Sequence, residues 1–83
     1  MYIHLGNNVI IPSVDIIAIL NIESPISKDV KEIIEIAKTE KNLINISAKG
    51  KEKALIICTE KVYLSPISST TLFRRAKNFY REV

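Results

Sequence analysis

The sequence predicts an α+β fold: a small, mostly antiparallel sheet of about six short strands with two helices, one central and one C-terminal. Three observations lead there. Apolar residues recur at helical spacing in two stretches, the other apolar segments are short runs rich in Ile and Val, and the links between those runs are a few polar residues long. Size and composition agree with them. A chain of 83 residues has room for one domain, 1–83, and 47% hydrophobic with 25% charged residues, 2 Gly and 3 Pro is the usage of a folded chain. Because so short a chain removes only about 60–65% of its extended surface from water, self-association is expected to supplement the core.

The elements follow in order. Residues 1–20 are broken at Gly6-Asn7-Asn8 and at Pro12-Ser13, which predicts three short strands. In the first, Ile3 and Leu5 share one side while Tyr2 and His4 share the other. Residues 14–20 are denser in Ile and are expected to be buried on both faces, apart from Asp15; their β-branched side chains favour strand over helix. Pro25 and Ser27 then open a helix. Ser27 is its expected N-cap, Asp29 and Glu32 suit the positive end of the dipole, and Val30, Ile33, Ile34 and Ala37 form its apolar stripe. Lys41-Asn42 marks its end.

Strands return at 43–47, 54–58 and 62–65, and their short links favour an antiparallel meander. Pro66 and Ser68-Ser69 break the sheet, with either serine placed to cap a second helix. On that helix Leu72, Phe73, Ala76, Phe79 and Tyr80 make one stripe. Arg74, Lys77 and Arg81 point away from it, with Arg75 at its margin.

Little in the chain suggests catalysis, and a non-enzymatic protein is expected. No glycine-rich phosphate loop, HExxH or CxxC pattern occurs, and a single histidine beside a single cysteine leaves no ligand set for the usual structural zinc sites. Neither a metal nor a cofactor is called for. Cys58 ends an apolar run and reads as a buried thiol packing as a small hydrophobe; His4 reads as a satisfied or partly exposed strand residue. Glu32 and Glu35 share their helix with Lys28, Lys31 and Lys38, an ion-pair face in water. The opening MYIHLGNNVIIP has no basic leader and no long apolar run, so a cytoplasmic protein without signal peptide or membrane span is expected.

Charge is the remaining signal. Residues 1–48 carry a net −2 and residues 49–81 a net +6. Lys49, Lys51 and Lys53 alternate around Gly50, so an extended link would direct three ammonium groups to one side, where they could follow a phosphate backbone; a solubilising hairpin tip is the other reading. Arg74, Lys77 and Arg81 add a basic helix face, suited to phosphate oxygens or simply solvated.

Five segments in this order, YIHLG, VDIIAIL, ESP with its helix, the basic glycine-containing loop before ALII, and VYLSPISSTTLFRRA, resemble the bacterial extracellular matrix regulators. The likeness runs from Tyr2 to about Phe79, and the opening and ending are closer to the RemB branch than to RemA. The resemblance implies a cytoplasmic protein of Firmicutes type. RemA-type members assemble into rings and bind promoter DNA, activating genes for matrix and biofilm formation. Of their three DNA-contacting arginine positions, a loop pair falls on Gly50 and Lys51 here and the third on Asp15, so two lose their positive charge.

Two functions are thereby expected, from different classes. In the first, a DNA-binding transcriptional regulator works as a homo-oligomeric ring, with Lys49, Lys51 and Lys53, helped by Arg74 and Lys77, meeting the phosphates of duplex DNA. In the second, an oligomeric module binds a protein partner such as a related regulator without touching DNA. Apolar strand edges near either end of the chain are expected to be covered by neighbouring copies.

Overall fold

The computed structural model describes residues 1–23 and 25–79. It is α+β, with six strands and two helices. Strands β1 (Tyr2–Gly6) and β2 (Val9–Pro12) pair antiparallel as a hairpin apart from the main sheet. The main sheet holds β3 (Ile16–Asn21), β4 (Leu43–Asn45), β5 (Ala54–Cys58) and β6 (Val62–Ser65) in the order β3-β5-β6-β4. Helix α1 (Lys28–Thr39) connects β3 to β4, and α2 (Ser69–Phe79) follows β6.

Alternation along the central strand assigns the layers. Ala54, Ile56 and Cys58 face a core shared with Ile3, Leu5 and Ile11 of the hairpin and Leu72 of α2. Leu55 and Ile57 face the opposite way, onto Ala37, Ile33 and Ile34 of α1. Since β5 is covered on both sides, it carries an unbroken apolar run, as strands buried on both faces do. Leu55 and Ile56 are both fully buried.

Helix α1 forms as its sequence dictates. The Ser27 hydroxyl accepts from the Val30 N–H at 3.2 Å, and its apolar stripe packs inward. At the other end Lys41 takes φ 60°, while the Asn42 and Lys41 N–H groups donate to the Ala37 and Lys38 carbonyls, closing the last turn. For α2 the cap is Ser68, whose Oγ accepts from the Thr71 N–H at 3.2 Å.

Four expectations are corrected. Residues 13–15 form a single 3-10 turn rather than the start of a strand, and Val14 is 78% exposed and Ile17 66% exposed, not buried on both faces. Ile17 is the extra residue of a bulge, since Ile16 pairs with Cys58 and Ala18 with Ile57. The last three strands are no meander. Strand β6 lies between β5 and β4 and pairs parallel with β4, so link 46–53 crosses the end of β6 instead of capping a hairpin. Phe73, assigned to the apolar stripe of α2, is 55% exposed, because Leu72 occupies the centre of the helix's contact with the core. The Lys77 and Phe79 side chains and all of Tyr80 and Arg81 lie outside the described residues.

Gly6 shows why a glycine stands at the end of β1. Its φ is +113°, and a Cβ there would come within 3.2 Å of the Pro66 ring. Gly6→Ala is therefore expected to lower stability by about 1–3 kcal/mol, read as a lower midpoint in urea with an unchanged slope.

Candidate nucleic-acid interface

The three lysines of link 46–53 are exposed. Their arrangement is not the extended alternation expected. The Lys51 N–H donates to the Ala48 carbonyl at 2.9 Å and Gly50 takes φ 81°, which closes a tight turn with Lys49 at its second position and Lys51 at its fourth. Lys53 is anchored by its backbone instead. Its N–H donates to the Ser65 carbonyl at 2.8 Å and its carbonyl accepts from the Ile22 N–H at 3.1 Å, fixing it between the ends of β6 and β3.

Side chains that the sequence reading passed over hold the link in place. Asn45, at the end of β4, accepts at Oδ1 from the Ser47 N–H and hydroxyl, both at 2.9 Å, and its Nδ2 donates to Glu52 at 3.2 Å. One amide thus ties the two ends of the link together. An Asn two residues before a Ser, at the close of a strand, is the signal that could have disclosed it. The Asn7 side chain donates to the Ile46 carbonyl and so seats the β1–β2 turn against the start of the link. Both Asn7 and Asn8 hold positive φ, which Asn tolerates better than other side-chain-bearing residues. None of the three lysines forms an ion pair among the described residues.

The second basic group lies on another element. Arg74 is exposed on α2, and no hydrogen bond or ion pair joins it to the link among the described residues. Its neighbour Arg75, expected at the stripe's margin, donates from Nη1 to the His4 carbonyl at 2.7 Å and so fastens α2 to β1. Asp15 lies at the far end of the sheet from the link, beside the Ile16–Cys58 pair, whereas the link runs into the Asn21–Ala54 pair. Four residue steps along β5, from Ala54 to Cys58, separate the two ends, roughly 13 Å of strand.

Cys58 and His4 do not come together. His4 is exposed on β1. Cys58 is buried and borders a recess of about 250 Å³ with Asp15, Thr59, Glu60, Lys61 and Tyr63. Burial, reinforced by the Asp15 carboxylate, pushes its thiol up to about 11. The Tyr63 phenol is also raised, by burial first and then by Cys58 and Asp15. A nucleophilic cysteine needs the opposite shift, toward the thiolate.

Stability carries the same sign. Between about pH 9 and 11 the unfolded chain gives up the Cys58 proton while the folded one keeps it, so this group's contribution is full below pH 9 and is lost as pH rises through that window. Native protein at pH 8 is accordingly expected to resist iodoacetamide and to react only after denaturant is added; rapid labelling in buffer alone would contradict the buried thiol.

The chain is thus a small layered α+β domain that displays cations on a braced link and holds its thiol protonated. The chain belongs to the RemA-like family, extracellular matrix regulatory protein A-like, whose pattern it matches over residues 2–76. It is 34% identical over 77 residues to extracellular matrix regulatory protein B of Bacillus subtilis (strain 168), an overlap that covers 93% of this chain and 91% of that protein. No helix among the described residues is long and apolar enough to cross a membrane.

Proposed function

We propose that this protein is a regulator of extracellular matrix genes that binds duplex DNA through phosphate contacts as a homo-oligomeric ring in the cytoplasm. Its relatives' names supply the regulatory role. The observation that carries the DNA reading is the link itself: Lys49, Lys51 and Lys53 are exposed on a segment braced at both ends and carry no ion pair among the described residues. Such a link has little conformational freedom left to lose on meeting a polyanion. Lys51 lacks the planar fork with which arginine clasps phosphate or reads guanine, so the grip is directed at backbone charge more than at sequence.

One link offers three charges, too few for tight binding. Repetition around a ring makes later contacts effectively intramolecular, a gain on the order of 10²–10⁴ when the geometry allows. Support for assembly comes from the exposed apolar side chains of Ile10, Val14 and Ile17 and from Phe73 on α2.

Size-exclusion chromatography with light scattering, run with and without a short duplex, tests this reading. Expected are a multimer at micromolar concentration, co-elution with DNA at low salt, and an affinity that falls with log salt at a slope of about 0.9 per phosphate neutralised. A monomer, or no retention of duplex at low salt, would overturn it. A second reading, an oligomeric module that binds a related regulator protein, is favoured by the loss of charge at Asp15 and Gly50.

A further inference from the structure

Two surfaces of the single chain are left unfinished, and they lie at opposite edges of the main sheet. The first is the entry to β3, a strand with a sheet neighbour on one side only. Val14 and Ile17 stand out from it as exposed apolar side chains, and Ile17, the extra residue of the bulge, packs into neither core. The Val14 N–H, at the start of the 3-10 turn, donates to no acceptor among the described residues. The second surface is at β4, the other edge strand. There Ile33, Ile36 and Ala37 of α1 line a pocket of about 210 Å³ with Glu40, Asn42 and Val62. Ile36 is exposed, and the Asn42 Oδ1 is buried with no donor among the described residues, whereas buried acceptors are nearly always paired.

The two surfaces are level with each other. Ala18 pairs with Ile57, Ile57 with Val62 and Val62 with Leu43, a single row of residues that crosses the sheet from the bulge to the pocket. We infer that Val14 and Ile17 of one copy of this chain seat in the Ile33, Ile36 and Val62 pocket of the next, so that copies join head to tail; this rests on the ring reading above and states how such a ring is built. The room suffices, since an apolar cavity of roughly 150 Å³ already admits a benzene-sized group. The terminal torsion of Asn is broad, so the Asn42 amide can turn its oxygen toward the incoming Val14 N–H, and an unpaired acceptor and an unpaired donor then satisfy each other. Contacts between unlike surfaces continue from copy to copy, as a ring where the rotation closes and as an open filament where it does not. With both surfaces in one row, successive copies follow without a step along the strands, which is the condition for closure.

Light scattering of the protein without DNA tests this on two variants, Ile17→Lys and Ile36→Lys. Each places a charge on one of the two apolar surfaces, where burial against the next copy is costly. Both positions are exposed, so an unchanged circular dichroism spectrum is expected for each variant. The parent should be a multimer and either variant alone a monomer at the same concentration. An equimolar mixture should form a dimer and nothing larger: Ile36→Lys keeps the intact protrusion, Ile17→Lys keeps the intact pocket, and the two altered surfaces stop growth in both directions. In isotope-labelled Ile36→Lys, the Val14 and Ile17 amide resonances should shift when unlabelled Ile17→Lys is added. If either variant keeps the parent's size, or if the mixture stays monomeric or regrows to the parent's size, the inference is overturned and the ring reading is untouched. A monomeric parent overturns the ring reading and this contact with it.

Discussion

Replacing Lys49, Lys51 and Lys53 together by Glu is expected to abolish retention of duplex DNA while leaving the assembled size of the protein unchanged. The substitution exchanges three positive charges for three negative ones on every protomer, so a surface that released counterions on meeting phosphate now repels it. An affinity loss of at least about 100-fold at moderate salt follows, with a flattened salt dependence in whatever binding survives. Folding should not suffer. The three side chains are exposed, and the contacts that shape the link are made by backbone groups and by Asn45 and Glu52. Electrophoretic retention of a labelled duplex, measured beside light scattering, reads both outcomes. If the variant holds DNA as the parent does, the link is not the interface; if the parent holds none and the variant still captures a partner regulator, the protein-binding reading stands instead.

Ile56→Ala is expected to give the largest loss of stability of any single substitution considered for this chain. Ile56 is fully buried on the central strand, where it faces the core shared by the hairpin, β3 and α2. Truncation there removes apolar contact and leaves a cavity, at a cost of about 2–5 kcal/mol. A domain of this length has roughly 4–12 kcal/mol of stability in all. The thermal midpoint should accordingly fall by roughly 10–30 °C, followed by circular dichroism at 222 nm. Ile17→Ala provides the contrast: with its side chain 66% exposed, it should move the midpoint of an isolated protomer by only a few degrees. A small effect at Ile56 would mean that β5 is not the centre of the fold.

How much of this was legible depended on the range of the interaction concerned. Helix α1 could be read in full, since Ser27, the stripe from Val30 to Ala37 and the stop at Lys41 all act within a few residues of one another. The place of β4 could not. A short link after a strand favours an antiparallel neighbour, yet β6 takes the place beside β5 because it is bonded there from Ala54–Ser65 to Ile57–Val62, leaving β4 the outer edge. The lysines were legible as charges, whereas the turn at Gly50 and the brace from Asn45 join groups whose pairing depends on where the chain returns. Ser65 belongs with these. It reads as an ordinary strand end, but it is fully buried, donating to the Leu5 carbonyl at 2.6 Å and accepting from the Ile67 N–H at 3.0 Å, so that the hairpin and the sheet are joined through one hydroxyl.

The order of amino acids by itself determined the α+β class, the limits of α1, the apolar character of β5, the half of the chain that carries the positive charge, and the family. These follow from periodicity, capping and composition, which are local properties of a chain. Tertiary structure alone decided that β4 runs parallel to β6, that Val14, Ile17 and Phe73 face outward, that Asp15 and the lysine link lie at opposite ends of the sheet, and that Ile36 and Val62 line one pocket. Each of these depends on contacts between residues far apart in sequence, and such contacts are settled by which apolar faces can be buried together, a condition that no short window of sequence contains.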